Sequence, residues 1–252
     1  RLFAPQLRML RRLYPEAQIY APPALPEGSS MEQIGRSLIA EADAQFAAST
    51  PAPGDLILIG LSMGGIAAME ILRQCPERVS ALCLLHSNAL SEGPDNSEKR
   101  FAMVEAAEVW GFTRILEERL LPSLLSVSSL EGYSGTAFGE ADFQVDLRQL
   151  MISMAEHVGI TRFRTHAEAL AERADYSDVL SAYRGPAQII AGADDLLTPP
   201  DRQHHLQTCL PQANLHFIGN CGHISTRERP REVNRLLFSW LQEKTSLSIL
   251  SP

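Results

Sequence analysis

The sequence predicts an α/β fold, a mostly parallel sheet with helices on both faces, and three observations carry that reading. Apolar runs of strand length at 17–21, 56–59, 79–85, 188–192 and 215–218 alternate with stretches of helical spacing. Strands that alternate with helices imply a parallel sheet covered on both sides. The run at 56–59 leads through Gly60-Leu61-Ser62-Met63-Gly64 into a helix-forming stretch. From about His86 to Tyr183 the strand signals stop and helical patterns take over. That predicts a helical cap inserted over 88–183, covering the end of a core built from 1–87 and 184–252.

Composition narrows the class. A length of 252 residues suits one large α/β domain or two small ones, and 45% hydrophobic with 21% charged residues is ordinary for a globular chain. The net charge of −8, with no basic run, argues against nucleic acid as a partner. No apolar segment is long enough to cross a bilayer. Cys75, Cys83, Cys209 and Cys221 have no framework spacing, so free thiols in a reducing, cytoplasmic setting are expected. The first residue, Arg1, begins neither an initiator methionine nor a signal peptide.

Each element has its own reason. Leu2, Phe3, Leu7, Leu10 and Leu13 recur at helical spacing, and Pro15 closes that helix. Ala17-Gln18-Ile19-Tyr20-Ala21 reads as a short strand stopped by Pro22-Pro23. Ser29 and Ser30, with Glu32 and Gln33 behind them, form a capping box for a helix through Ile34, Leu38, Ile39 and Ala42 to about Ala48. Pro51-Ala52-Pro53-Gly54 is a turn into the strand at 56–59. Gly64-Gly65 opens a helix that ends near Cys75, before Pro76. Val79 to Leu85 is a strand. Helical patterns follow at 101–104, 115–121, 147–158 and 162–173, with a Ser- and Gly-rich loop over 123–139. A strand at 188–192, a helix at 202–210, a strand at 215–218 and a helix at 230–242 complete the chain, and 246–252 is a frayed tail.

The chemistry converges on three loops. A turn as tight as Gly60-Leu61-Ser62-Met63-Gly64 holds the serine in a strained conformation with its hydroxyl outward. The glycines on either side are expected because side chains there would strike the flanking strand and helix. The helix N-terminus behind the serine favours negative charge developing there. A serine hydroxyl also needs a base, and the base needs a group that fixes its tautomer. In a parallel sheet such groups gather at the carboxyl ends of strands. After 188–192 comes Ala193-Asp194-Asp195-Leu196-Leu197-Thr198-Pro199, and after 215–218 comes Gly219-Asn220-Cys221-Gly222-His223. The chain order Ser, Asp, His is the one that accompanies a serine on such a turn.

Taken together, Gly60-Leu61-Ser62-Met63-Gly64-Gly65, Gly192-Ala193-Asp194-Asp195-Leu196-Leu197-Thr198-Pro199 and Gly222-His223 resemble the α/β-hydrolase-fold family, in particular its small esterases and lactonases. The first motif is similar to that of enol-lactonases such as the 3-oxoadipate enol-lactonases. The resemblance spans nearly the whole chain. It implies Ser62 as nucleophile, His223 as base, Asp195 rather than Asp194 as acid, and the Met63 N–H as an oxyanion donor. Leu61, His86 and Leu197 are the candidates for the substrate pocket. The resemblance implies hydrolysis of a small carboxylic ester or lactone through an acyl-enzyme, with no metal and no organic cofactor. Carbon–carbon hydrolysis of ring-cleavage products, or slow-turnover ligand binding on the same fold, are the rival readings. The family's His-Gly motif, which supplies a second oxyanion donor, has no counterpart here. Residues 1–20 resemble the helix and strand that follow it, so N-terminal strands are expected to be missing.

Other candidates read more plainly. His204 and His205 are adjacent on a helix, so they point apart and are expected on a solvated surface. His86 ends a strand, and its residue type leaves open a pocket wall or a satisfied structural histidine. His157 and His166 are expected at the surface of the insertion, Cys221 as a bystander thiol, and Trp110, Phe112 and Met151 as packing of the insertion.

Overall fold

The computed structural model describes residues 1–46, 56–131 and 146–244. In chain order come α1 (Ala4–Leu13), α2 (Met31–Phe46), β1 (Leu56–Leu61), α3 (Met63–Gln74), β2 (Val79–Leu85), α4 (Pro94–Trp110), α5 (Phe112–Ile115), a π-turn over Leu116–Leu120, α6 (Leu121–Leu124), α7 (Val127–Leu130), α8 (Leu147–Ala171), α9 (Ser177–Ala182), β3 (Ala187–Gly192), α10 (Pro200–Cys209), β4 (Asn214–Ile218), α11 (Ser225–Glu228) and α12 (Pro230–Lys244). The four strands form one parallel sheet in the order β1-β2-β3-β4. Because the order always advances the same way, right-handed crossovers put the connecting helices on one face. Accordingly α3, α9 and α10 pack with α2 against Leu82, Leu84 and Ile189. The opposite face, carrying Ala81, Cys83, Leu85 and Ile190, is covered by α12, by residues of α1, and by Leu116, Leu121, Leu125, Leu147 and Met151. Alternate residues of β2 thus serve two cores, which is why its sequence is one apolar run rather than an alternation.

Most elements fall where the residue pattern puts them, and the differences have physical causes. The strand expected at 17–21 does not form. Five residues with no ladder cannot satisfy their backbone as a strand, and the Tyr20 hydroxyl instead donates to Glu41 on α2. The capping box at α2 is present: Ser30 Oγ accepts from Gln33 N (3.2 Å), and the Gln33 side chain accepts from Ser29 N (3.2 Å). The pattern at 115–121 is broken into α5, a π-turn and α6, and residues 123–131, expected as loop, carry the end of α6 and all of α7. The two helices expected around 147–173 are halves of α8, separated at Gly159, whose φ of 71° is left-handed. Trp110, expected as packing, is half exposed, with the Arg119 guanidinium 5.3 Å from its ring centroid. The turn at 51–54, residues 132–139 of the expected loop and the tail at 246–252 lie outside the described residues. Among the described residues, no helix is long and apolar enough to cross a membrane. The four cysteines are all free.

Candidate active site

The sheet register brings the functional loops to one rim. Leu85 is the ladder partner of Leu61 on one side and of Ile190 on the other, and Gly192 pairs with Ile218. The ladder continues one step further: Ser62 N donates to Leu85 O (2.8 Å), His86 N to Ile190 O (3.0 Å), and Ala193 N to Ile218 O (2.9 Å). Ser62 and His86 therefore stand directly beyond the carboxyl ends of β1 and β2, and the loops bearing Asp195 and His223 leave the ends of β3 and β4.

Ser62 caps α3 with φ 53° and ψ −120°, a left-handed conformation rare for a residue with a side chain. What permits it is the approach of β1 to α3. A Cβ on Gly60 would lie 2.3 Å from Gly64 O, and one on Gly65 would lie 2.6 Å from Ser87 Oγ. Gly64 differs from expectation, because a Cβ there meets nothing within 4 Å. The crowded helix position is Gly65, one residue later, where Ser87, two residues beyond the end of β2, passes. The hydrogen bonds of Ser62 run through its backbone: its carbonyl accepts from Gly65 N (2.9 Å), Ile66 N (3.1 Å) and Ser87 Oγ (3.1 Å). Its hydroxyl makes none among the described residues. Met63 is the first residue of α3, and the first N–H groups of a helix have no partner within it.

Asp195 is the centre of the site. Its side chain has no exposed surface. Oδ1 accepts from the amides of Leu197 (2.9 Å) and Thr198 (3.0 Å). Oδ2 accepts from Thr198 Oγ1 (2.6 Å) and lies 2.8 Å from His223 Nδ1 and 2.7 Å from His86 Nδ1. Burial pushes its carboxyl up, but the hydrogen bonds from His223 and His86 outweigh that and hold it far below the usual carboxylate range. An ionised acid fixes the tautomer: both imidazoles present Nδ1–H to it. Burial pulls His86 below the ordinary histidine range, against the opposing pull of Asp195, so it is neutral. Asp194 is exposed and contributes its backbone N–H to Cys221 O (3.0 Å).

The His223 loop is held by backbone contacts. A Cβ on Gly192 would meet Cys221 O at 2.1 Å, and one on Gly222 would meet Ser126 N at 2.6 Å. His223 N donates to Leu124 O (2.9 Å). Glu228, buried on α11, accepts from Ser126 N (2.9 Å), Gly222 N (3.2 Å) and Ile224 N (3.2 Å). It thereby ties the histidine loop to the segment after α6. Nothing in Ser225-Thr226-Arg227-Glu228 distinguishes this acid from a surface one, so residue reasoning missed it.

The remaining candidates scatter. Leu61 is buried in the core and Leu197 is 46% exposed on the Asp195 loop, while His86 is wholly buried behind the acid. A concavity of about 400 Å³ opens elsewhere, between α4, α5 and α8, lined by Glu108, Phe112, Glu156 and Ile160 among others. His205 bonds Ser177 Oγ (3.1 Å) and His204 lies against Phe217, so this pair has protein neighbours as well as solvent. His157 is exposed, and His166 bonds Pro26 O (3.0 Å). Cys221 is buried and burial raises its thiol, so it is a poor nucleophile. Among the described residues, His86, Asp195 and His223 are the group that has three metal-capable side chains together. Both Nδ1 atoms, however, sit at hydrogen-bond distance on one carboxylate oxygen, which is an N–H···O arrangement rather than a ligand cage.

The alpha/beta hydrolase family model matches residues 14–236, and the chain belongs to that family. Among curated relatives, it is 27% identical over 186 residues to a 2-hydroxy-6-oxononadienedioate/2-hydroxy-6-oxononatrienedioate hydrolase of Burkholderia vietnamiensis, covering 73% of this chain and 62% of that one. It is 28% identical over 214 residues to a pimeloyl-[acyl-carrier protein] methyl ester esterase of Aromatoleum aromaticum, covering 83% and 82%. The alignment thus spans less than two thirds of the first of these relatives. A thermophilic esterase from Thermogutta terrifontis shares the fold with a TM-score of 0.75 at 23% identity, over 99% of this chain and 86% of that one. The enol-lactonase of Burkholderia xenovorans does so with a TM-score of 0.74 at 18% identity, over 96% and 86%.

Proposed function

We propose that the chain is a serine hydrolase that cleaves a small carboxylic ester or lactone through an acyl-enzyme. The observation that carries this is the pairing of His223 Nδ1 with the buried, ionised Asp195 at 2.8 Å, at the same rim as a serine held at φ 53° on a helix N-terminus. In this reading His223 Nε2 takes the proton of Ser62 as Oγ attacks the carbonyl carbon, and Asp195 stabilises the imidazolium that results. The Met63 N–H donates to the oxyanion. His223 then protonates the departing alkoxide and activates the water that releases the acid. The free hydroxyl of Ser62 fits this sequence, because such hydrogen bonds are often long before substrate binds. Residues 88–183 act as the cap that shapes the substrate site. The reaction uses small molecules only, and neither metal nor organic cofactor takes part.

A fluorophosphonate probe followed by peptide mapping tests the assignment: label on Ser62 is expected, and label on another residue overturns it. Ser62→Ala is expected to lower turnover of p-nitrophenyl acetate by roughly four orders of magnitude or more, with an unchanged circular dichroism spectrum. A second reading keeps the same three residues but hydrolyses a carbon–carbon bond in an oxo-dioate, the substrate type in the name of the Burkholderia vietnamiensis relative. Turnover of such a substrate with none of p-nitrophenyl acetate favours it.

A further inference from the structure

We propose that His86 is a positioning residue of the proposed reaction, a second imidazole that donates Nδ1–H to the same Asp195 oxygen as His223 and so moderates the acid's hold on the base. The inference rests on the hydrolase reading for its kinetic consequence, but its structural content stands alone. His86 Nδ1 lies 2.7 Å from Asp195 Oδ2, as close as the 2.8 Å of His223 Nδ1. The two rings meet edge to face, with centroids 5.3 Å apart. Oδ2 accepts nothing from His86 unless Nδ1 carries the proton. That leaves Nε2 as a bare acceptor, and Nε2 is buried with no partner among the described residues.

That asymmetry is informative. A buried polar atom left unpaired is destabilising, so a histidine there merely to fill space is a poor choice. His86 also adopts φ 48° to reach its position, and backbone strain of this kind gathers at functional sites. The chain accepts both penalties and gains one N–H aimed at the acid.

The physical consequence follows from the burial of Asp195. Asp195 has no exposed surface, so its charge is shared among the protein groups that donate to it. Each further donor spreads the negative charge and weakens the remaining bonds. His86, Thr198 Oγ1 and two amides share the load. The charged or titratable groups facing His86 are Asp195 from the β3–α10 loop, His223 from the β4–α11 loop and Glu228 from α11. Cys221 and Arg229 flank Glu228. His86 is neutral, so its removal deletes a donor without deleting a charge.

Nitrogen-15 spectra of the histidine rings in the full 252-residue chain test this. Wild-type His86 is expected with Nδ1 protonated and Nε2 bare throughout the neutral range; the opposite tautomer overturns the proposal. In His86→Phe, the Nδ1 proton of His223 is expected to shift downfield, because Asp195 Oδ2 then accepts from one donor fewer and holds His223 Nδ1–H more strongly. The acid limb of kcat/KM for p-nitrophenyl acetate moves to higher pH with it. His86→Asn places an amide N–H near the position of Nδ1 and is expected to restore both to wild type. A His223 Nδ1 proton resonance unmoved in His86→Phe, or moved equally in His86→Asn, overturns the proposal even if both variants melt lower. If neither variant folds, the wild-type tautomer decides. If the wild type hydrolyses no ester, the hydrolase reading falls and the ring spectra still judge His86.

Discussion

Single residues set the geometry on which the proposed chemistry depends, and the glycines around Ser62 show how narrowly. Gly60 has no room for a Cβ, because the obstacle is the backbone of Gly64 and Gly65, which cannot rotate away. Gly60→Ala is therefore expected to destabilise the fold by about 2–3 kcal/mol. Gly64 lies in the first turn of α3 with open space around its Cα. Gly64→Ala is expected to be neutral or to stabilise by about 0.5 kcal/mol, because alanine narrows the unfolded ensemble. Urea midpoints of the two variants measured side by side check the contrast; equal losses would mean that the turn constrains both positions alike. The spacing Gly-x-Ser-x-Gly gives the two glycines the same weight, and only the path of β1 past α3 separates them.

The elements around the site do unequal work, and α11 does more than its four residues suggest. Glu228 accepts three backbone N–H groups from two chain segments, Ser126 on one side and Gly222 and Ile224 on the other. Glu228→Ala leaves these buried donors unpaired and is expected to cost about 3 kcal/mol or more. Amide exchange should accelerate at Ser126, Gly222 and Ile224 ahead of the β-strands, and kcat/KM should fall as the His223 loop loosens. Uniform acceleration across the sheet would instead mean that the loop has no stability of its own to lose. The sheet, its flanking helices, and Asp195 and His223 as a pair were legible in the sequence, because apolar periodicity and loops at strand ends are local signals. The clamp by Glu228 and the turn of His86 toward Asp195 were not. They depend on register and on segments about 100 residues apart in the chain, and no local pattern marks them. The strand at 17–21 failed for the converse reason: its five residues fit a strand locally, but a strand exists only through a ladder.

Across the whole molecule, the buried ionisable groups set when the fold is stable. Three histidines, His86, His166 and His216, are pulled below the ordinary range, chiefly by burial. The unfolded chain therefore takes up protons that the folded chain refuses, and stability falls as pH drops below about 6.5. Asp195 and Glu70 are depressed by hydrogen bonds that overcome burial, Glu70 through Arg73, Gln74 and Tyr176. Their contribution is present above about pH 4 and lost as pH falls further. The Cys83 and Cys221 thiols are raised by burial. Their contribution is complete below about pH 8.5 and declines above it, as the unfolded chain releases their protons. The expected profile of Tm against pH is a plateau between these limits, with a first step down on the acid side at histidine pH and a steeper one at carboxylate pH. Each kcal/mol lost lowers Tm by roughly 2–4 °C for a domain of this size. His86→Phe removes one of the refusing histidines, so its first acid step should be shallower than that of the wild type. A step of unchanged depth would mean that His86 takes up its proton in the folded state, which its neutral, buried position beside Asp195 forbids.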